Sequence, residues 1–250
     1  MKWVAGDQPL NADRSPDLRA AYRVPDRHAV PAGHCFIRAN FATSLDGNVE
    51  AGGVSRGVSS EIDRKVFHLL RELADVVLVG AQTVRAEGYG PAKPSPETIE
   101  RRIANGFSPV PPIAVVTRRC ALDPTSRLFT EARVPTLVLT SAQGAAEAGA
   151  LKEVAEVIVC GDEQVEMELM VSELSARGLL RVLCEGGPHL LHQLVTHGII
   201  DELCLTITPL TVGPDHQHLA VGPISPPQGF SVGTAFEADG SLFLRCERAG

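Results

Sequence analysis

The chain has 250 residues, 44% of them hydrophobic and 21% charged, and carries a formal net charge of −7 at pH 7. This composition is typical of a globular protein with a core of its own. The acidic balance argues against a general nucleic-acid surface, and no apolar run approaches the ~18 residues of a membrane helix. No Cys-x-x-Cys pair occurs, and Cys160, Cys184 and Cys204 lie in apolar runs, which indicates reduced core thiols. Since no signal peptide is apparent, we expect a cytoplasmic protein.

In the N-terminal half, a polar segment precedes the first predicted strand. Residues 1–30 contain several prolines and predict an irregular extension, and residues 31–250 predict a single domain. An Asp-Gly turn and a glycine-rich loop follow the first strand, and two serines then offer an N-cap for an apolar-periodic helix. The elements predicted here are a strand over 34–41, a helix from Ser59-Ser60 to about Ala74, a buried strand over 76–80 and a short helix over 81–86.

From residue 88 onward the pattern changes twice. A loop rich in Pro and Gly over 88–111, with a short helix around 96–105, leads into alternating strands and helices, which favour parallel pairing. In the last third, strands follow one another without helices. The sequence therefore predicts an α/β fold with a mixed, mostly parallel sheet flanked by helices and an antiparallel C-terminal section. The predicted strands are 112–117, 135–139, 156–160, 179–184, 202–209, 229–237 and 241–247, and the predicted helices are 143–152, 163–177 and 188–197.

The most informative motif is Glu185-Gly186-Gly187-Pro188, between a predicted buried strand and an amphipathic helix. The two glycines allow a tight turn and the close approach of a ligand, and proline fits the first helical turn. The amides of that turn and the helix dipole favour an anion such as a pyrophosphate. A plain strand-to-helix turn remains the alternative. No Gly-x-Gly-x-x-Gly or Walker sequence is present, so a standard Rossmann or P-loop interpretation fails.

Other candidate residues also admit a purely structural interpretation. Asp46 lies in an Asp-Gly turn and is either a local cap or functional. Arg71 is either the solvated edge of a helix or a ligand contact, and Thr83 either caps a helix or binds a phosphate or amide. Arg118 and Arg119 follow a predicted strand, where paired guanidinium groups suit a 2′-phosphate clamp or are ordinary surface charge.

An ordered series of motifs runs through the chain. Its members are Ser44-Leu45-Asp46-Gly47, Ser59-Ser60, Leu69-Leu70-Arg71, Asp75, Val79-Gly80-x-x-Thr83-Val84 and Glu185-Gly186-Gly187-Pro188. Over about residues 35–248, the chain in this respect resembles the pyrimidine reductases of riboflavin biosynthesis, the reductase half of the bifunctional deaminase–reductase. The resemblance implies a dihydrofolate-reductase-like fold, a homodimer, and the NADPH-dependent reduction of 5-amino-6-(5-phosphoribosylamino)uracil. The zinc signature of the deaminase half is absent, so we expect the reductase step alone.

The resemblance also implies roles for individual residues. Glu185 matches the acid that holds the pyrimidine, while Ser55 and Arg71 match substrate contacts. Asp46 would organise the loop over the cofactor, and Glu87 takes the place of a family acid near the nicotinamide. Together with Glu185, these two acids are the candidate catalytic residues. The candidate cofactor contacts are Ala42, Thr83, Arg118, Gly186, Gly187, Pro188, His189, Leu190 and Leu191.

Two departures from the family pattern lie on the substrate side. Asn40, a candidate substrate contact, stands where the family has a lysine facing the pyrimidine. The family's Asp-Asp-Pro segment, with Leu, Thr and Arg after it, is replaced by Glu87-Gly88-Tyr89-Gly90-Pro91. Pro94 occupies the position of an arginine that grips the substrate phosphate. The resemblance therefore implies NADPH more directly than it implies the substrate.

We predict an NADPH-dependent oxidoreductase that acts on a small heterocyclic substrate, as a homodimer, without nucleic-acid or membrane partners. Reduction of dihydrofolate or another pterin on the same fold stays open, as does a non-catalytic protein that binds NADPH or a pterin. His216-x-His218 has the spacing of metal ligands, but no third ligand is apparent, so we expect no metal site.

Overall fold

The computed structural model of the chain describes residues 1–6, 8–11, 17–214, 216–219 and 221–249. Its strands are β1 (Lys2–Gly6), β2 (Phe36–Ser44), β3 (Val76–Gly80), β4 (Ile113–Val116), β5 (Thr136–Thr140), β6 (Ala155–Val159), β7 (Arg181–Cys184), β8 (Glu202–Thr208), β9 (Phe230–Ala238) and β10 (Ser241–Arg248). Its helices are α1 (Leu18–Ala21), α2 (Glu61–Glu72), α3 (Ala81–Ala86), α4 (Pro96–Ala104), α5 (Arg127–Thr130), α6 (Ala142–Ala146), α7 (Leu151–Val154), α8 (Met167–Ala176) and α9 (Pro188–Thr196). Short 3₁₀ turns lie at Arg27–Ala29 and Ser55–Val58.

The strands of the described ranges form a single sheet in the order β1-β9-β10-β8-β2-β7-β3-β4-β5-β6. From β8 to β6 all neighbours pair in parallel, whereas β1, β9, β10 and β8 pair antiparallel. This topology confirms the predicted α/β fold, its mostly parallel sheet and its antiparallel C-terminal section. The inner parallel strands β4 and β5 are apolar or buried along nearly their whole length, as expected of strands covered on both faces.

Apolar side chains on the two faces of the sheet form two cores. Successive residues of a strand point to opposite faces, so neighbouring valine and leucine residues of β3 belong to different cores. Val77 packs in the core that contains Leu70 of α2. Leu78 packs in the core that contains Leu194 of α9. The two helices that flank the predicted ligand turn are thus anchored on opposite faces of the same strands.

The N-terminal segment differs from the prediction of irregular chain over residues 1–30. Lys2–Gly6 forms the edge strand β1 and pairs with β9. Trp3 lies edge-to-face on Phe236, with 5.5 Å between ring centroids. The strand is mostly exposed and shows no apolar alternation of its own, because its pairing is made by a partner more than 200 residues away. Positions 7 and 12–16 of the predicted extension lie outside the described residues, and the division at residue 31 stays a prediction.

Some helix boundaries also differ from the prediction. The helix predicted over 143–152 is two short helices, α6 and α7, because the chain between them bends at Gly149, whose φ is 50°. The helix predicted over 163–177 begins only at Met167, after a loop in which Gly161 has a φ of 128°. The four-residue α5 has no counterpart in the prediction. Strand β2 extends to Ser44, beyond the predicted 41, since its pairing with β8 continues that far.

Candidate functional site

The carboxyl ends of β7 and β3 lie beside the middle of β2, on the carboxyl-terminal side of the parallel strands. Cys184, the last residue of β7, pairs with Ala39 of β2 on one side and with Leu78 of β3 on the other. The next residues of these strands are therefore level with one another, which brings Asn40 beside Glu185. Open α/β sheets bind ligands at this edge, just beyond the ends of parallel strands.

The Gly186-Gly187 turn is packed closely against its neighbours. A Cβ on Gly186, whose φ is 88°, would lie 2.9 Å from the ring of Phe41. A Cβ on Gly187 would lie 2.7 Å from the hydroxyl oxygen of Thr83. Gly187 is the N-cap of α9, and Pro188 is its first residue. A side-chain-free backbone at the start of a nine-residue helix, beside a hydroxyl, fits the diphosphate of a nicotinamide cofactor.

The other predicted cofactor contacts divide into two groups. His189 is exposed in the first turn of α9, and Ala42 is half-buried on β2. Leu190 and Leu191 are only 4% and 5% exposed, and the amides of both donate to the carbonyl of Gly187. The structure therefore directs the side chains of these two leucines into the core rather than toward the turn.

Glu185 and Arg71 form a bidentate ion pair at this edge. Arg71 Nε and Nη2 each lie 2.7 Å from one oxygen of the Glu185 carboxylate. The Glu185 side chain is 3% exposed and that of Arg71 is 17% exposed. Burial lowers the pKa of Arg71, but the Glu185 carboxylate outweighs burial and holds that pKa above its ordinary value. Arg71 and Glu185, which the resemblance assigns to different parts of a substrate, thus form one ion pair.

Two aromatic residues complete the surroundings of Arg71, and the sequence analysis assigns neither to the site. Arg71 Nη2 donates to the hydroxyl of Tyr89 at 2.8 Å. The guanidinium carbon lies 4.4 Å from the ring centroid of Phe67 and 5.5 Å from that of Tyr89. Phe67 precedes Arg71 by four residues on α2, a spacing that indicates contact on a helix. Tyr89 comes from a loop, and no local pattern places it here.

The two other candidate catalytic acids bind loop backbone. Asp46 accepts hydrogen bonds from the hydroxyl of Ser44 and, at 2.8 Å, from the amide of Gly213. These hydrogen bonds, the one from Ser44 foremost, hold the pKa of Asp46 below its ordinary value. Glu87 accepts from the amide of Ser55 at 2.8 Å. The structure thus joins Glu87 to Ser55, and it gives Asp46 the character of an ionised anchor between two loops.

Arg118 lies further along the same edge of the sheet, after β4. It is exposed and lines a surface groove in which three of the other residues are carboxylates. Those carboxylates oppose a phosphate beside the single guanidinium group, so the 2′-phosphate clamp stays a prediction. The groove is lined by Arg118, Gln143, Asp162, Glu163, Gln164 and Glu166.

Several negative observations hold for the described part of the chain. Its His, Cys, Asp and Glu side chains form no group of three or more that is able to hold a metal ion. None of the helices described has the length and apolar character that crossing a bilayer requires. All six cysteines are free thiols, and all but the half-buried Cys246 are buried.

Comparisons with known proteins match most of the chain. Residues 35–241 match the family described as RibD C-terminal domain. A 2,5-diamino-6-ribosylamino-4(3H)-pyrimidinone 5′-phosphate reductase of Archaeoglobus fulgidus is 33% identical over 181 residues, which cover 71% of this chain and 82% of that protein. The reductase of the same name from Methanothermobacter thermautotrophicus is 31% identical over 181 residues, which cover 71% of this chain and 79% of that protein. A solved pyrimidine reductase-like protein of Corynebacterium diphtheriae is 27% identical, has a TM-score of 0.79, and covers 93% of this chain and 98% of its own.

These matches confirm the resemblance on which the sequence analysis relied. The family match begins at residue 35 and spans every element from the predicted first strand into the antiparallel section. The relatives are named as reductases, and the residues that match the family include the parts of β2, β3 and β7 that carry the candidate site. The chain therefore belongs to the RibD C-terminal domain family and is an oxidoreductase of the pyrimidine reductase type.

Proposed function

We propose that the protein catalyses the NADPH-dependent reduction of a ribosylaminopyrimidine 5′-phosphate, the class of substrate named for its relatives. The observation that carries the proposal is the buried Glu185 carboxylate, held at 2.7 Å by Arg71 and followed at once by the Gly186-Gly187 turn. A carboxylate fixed in this way orients a heterocycle through its ring N–H and amino donors beside the cofactor. Such positioning is the protein's main contribution to hydride transfer.

The ion pair leaves both partners able to bind a substrate. A carboxylate has about four lone-pair positions, and Arg71 occupies one on each oxygen of Glu185. The remaining positions accept from the pyrimidine. Arg71 Nη1 takes no part in the contacts with Glu185 and Tyr89, so it donates to an oxygen of the substrate. Asn40, level with Glu185, supplies a neutral amide in this arrangement.

The cofactor would bind along the edge from the turn at Gly187 toward Arg118. The first turn of α9 holds the diphosphate, and the Thr83 hydroxyl lies beside it. When bound, the reduced nicotinamide supplies the hydride. The identity of the relatives supports a reduced nicotinamide in general, and the match of the cofactor residues to the family supports NADPH in particular. Because the groove at Arg118 is rich in carboxylates, the comparison of NADPH with NADH is part of the test.

The experiment is a steady-state assay of cofactor oxidation with three substrates: the diaminopyrimidinone ribosyl phosphate, its deaminated uracil counterpart, and dihydrofolate. We expect turnover with a phosphoribosyl compound and with NADPH in preference to NADH. Glu185→Gln should lower kcat/KM by about 100-fold, because the orientation of both Arg71 and the heterocycle is lost, and should leave the cofactor Kd unchanged. Glu131→Gln, which removes an exposed carboxylate bound to Lys93, is the control. An absence of turnover with both phosphoribosyl compounds contradicts the proposal.

Reduction of dihydrofolate is the second candidate, and one observation favours it. The rings of Phe67 and Tyr89, rather than a second cation, flank the Arg71 guanidinium. Aromatic faces suit the apolar body of a pterin derivative better than they suit a phosphate. Turnover with dihydrofolate and with neither phosphoribosyl compound would establish this alternative.

We further propose that the protein is a cytoplasmic homodimer. Six free thiols are typical of a reducing compartment, and the family resemblance implies the dimer. Light scattering on the purified protein tests whether it is a homodimer. A mass of twice the chain's 26.6 kDa is expected, and a mass equal to it would exclude the dimer.

A further inference from the structure

A buried arginine from α4 binds the carboxyl end of α2, the helix that carries Arg71. Arg102 is 1% exposed. Its Nη1 lies 2.9 Å from the carbonyl oxygen of Arg71, 2.8 Å from that of Glu72 and 2.9 Å from that of Ala74. Its Nε donates to the carbonyl of Ser108 at 2.8 Å. One guanidinium group therefore joins the end of α2 to the loop after α4.

Helix α2 needs such a partner because of how it ends. The last carbonyls of a helix find no donor within it, and the usual remedy is a glycine just beyond the helix. Here Leu73 and Ala74 lead directly into Asp75 and strand β3, with no glycine. The guanidinium of Arg102 donates to the carbonyls of Arg71, Glu72 and Ala74, the first of which also accepts from the amide of Ala74 at 3.4 Å. It also places a cation at the negative end of the helix dipole.

Burying the charged side chain of Arg102 costs folding free energy, which indicates a role beyond binding the carbonyls at the end of α2. Burial lowers the pKa of Arg102 to about 10, and its Nη2 finds no partner among the described residues. A buried charge without full compensation destabilises a fold.

The carbonyl of Arg71 is itself one of the acceptors, so the backbone of this residue is held directly. The side chain of Glu72, the last residue of α2, is held as well, since its carboxylate is bound by Arg19 at 2.8 Å and by Arg101 at 2.9 Å. The Arg71 side chain reaches from this fixed backbone to Glu185, where both nitrogens must lie within hydrogen-bond distance at once. A rotation of the last turn of α2 would break that bidentate geometry.

We propose that Arg102 is a positioning residue: by holding the last carbonyls of α2, it sets the orientation of Arg71 against Glu185 and thereby the affinity for substrate. The effect on substrate rests on the proposed function. The effect on the ion pair does not, because it concerns only residues of this chain. The experiment therefore measures the two separately.

The first measurement uses the ligand-free protein. The Nε–H resonance of Arg71 in ¹H–¹⁵N spectra, identified by its loss in Arg71→Lys, reports on the ion pair. We expect Arg102→Met to shift this resonance and to speed its exchange with solvent about tenfold. Arg102→Lys, which keeps a cation, should give a smaller shift and a smaller increase in exchange. Arg245→Lys, at a half-buried arginine that binds Glu202, is the control and leaves the resonance in place. If Arg102→Met does not fold, Arg102→Lys against wild type decides.

The second measurement is kinetic. Arg102→Lys should raise the KM for substrate about tenfold, since small misplacements of binding groups are expensive, while kcat and the cofactor Kd stay within about twofold. A lower melting temperature with an unchanged Arg71 resonance and an unchanged KM overturns the proposal and leaves Arg102 as a structural residue. If the wild-type protein turns over none of the substrates, the proposed function fails, and the resonance still decides whether Arg102 positions Arg71.

Discussion

Two residues of the turn after β7 contribute in opposite ways: Gly187 by having no side chain, and Glu185 by the carboxylate that binds Arg71. Gly187 lets the backbone come so close to Thr83 that a Cβ would stand 2.7 Å from the hydroxyl oxygen. Both glycine and hydroxyl are then free to face the same ligand. Glu185, two residues earlier, is fixed by Arg71 instead. The positions proposed for cofactor and substrate are thus two residues apart along the chain.

Gly187→Ala tests this close approach. The new methyl group forces the Thr83 hydroxyl away from the turn, and we expect the cofactor Kd to rise about tenfold, the scale of one hydrogen bond, in a protein that still folds. Calorimetric titration measures the change. Gly229→Ala, whose Cβ would meet its nearest neighbour at an ordinary 3.5 Å, is the control.

Thr83→Ala in the Gly187→Ala background completes the test. If the two residues act on one ligand group, the second change adds little, because contacting residues are not additive. Independent, additive losses would show that Thr83 and Gly187 do not share a cofactor contact.

At the scale of elements, α2 connects the site to the rest of the fold. The hydroxyl of Ser60 caps its amino end by accepting from the amide of Asp63 at 3.1 Å. At its carboxyl end, Glu72 is bound by Arg19 and Arg101, and the side chain of Glu72 is only 6% exposed. Burial raises the pKa of Glu72, but the hydrogen bonds from Arg101 and Arg19 outweigh it, so the pKa lies below its ordinary value of 4.5.

Glu72→Gln therefore has a pH-dependent effect on stability. A carboxylate with a lowered pKa in the folded protein stabilises it above the unfolded pKa, and the stabilisation disappears as pH falls through the folded value. At neutral pH we expect Glu72→Gln to reduce the free energy of unfolding by about 1–2 kcal/mol. The difference should begin to shrink as the pH falls to about 4.5 and should vanish below the lower pKa of the folded protein. Urea unfolding across pH measures it, and a difference that stays constant would contradict the assignment.

At the scale of the whole molecule, strand β8 joins the parallel and antiparallel parts of the sheet. Glu202 at its start binds Arg38 of β2 and, at 2.9 Å, Arg245 of β10. The N-terminal chain is tied to the same junction, since Arg38 also donates to the carbonyl of Tyr22 at 2.8 Å. Strand β1 is thereby part of the sheet, and the chain at Tyr22 is attached to it.

The chain's single tryptophan reports on this attachment. Trp3 lies on β1 and packs against Phe236, so its fluorescence follows the docking of the N-terminal strand. We expect the fluorescence and far-ultraviolet circular dichroism transitions in urea to coincide, which is the behaviour of one cooperative unit. A fluorescence transition at lower urea would show that β1 detaches before the sheet unfolds.

The alternating pattern from residue 112 onward was enough to predict the parallel sheet, because each buried strand and each amphipathic helix carries its own period. The turn at Gly186-Gly187 and the start of α9 at Pro188 were also predictable, since proline is favoured at the first position of a helix. Phe67 and Arg71 share a helix spacing and were also within reach. Strand β1 and the contact of the Tyr89 hydroxyl with Arg71 could not be predicted, because each depends on residues far away in sequence.

From the sequence alone we could derive the alternation of strands and helices from β2 onward, the family, and the place of the Gly186-Gly187 turn before α9. Local periodicity and motif order carry that information, and both are properties of short stretches of chain. Only the tertiary structure decided that Glu185 and Arg71 act as one pair, that Tyr89 adjoins them, and that Arg102 closes α2 beneath them. These contacts join residues between 18 and 114 positions apart. Their geometry depends on how helices pack on the sheet, which no local pattern specifies.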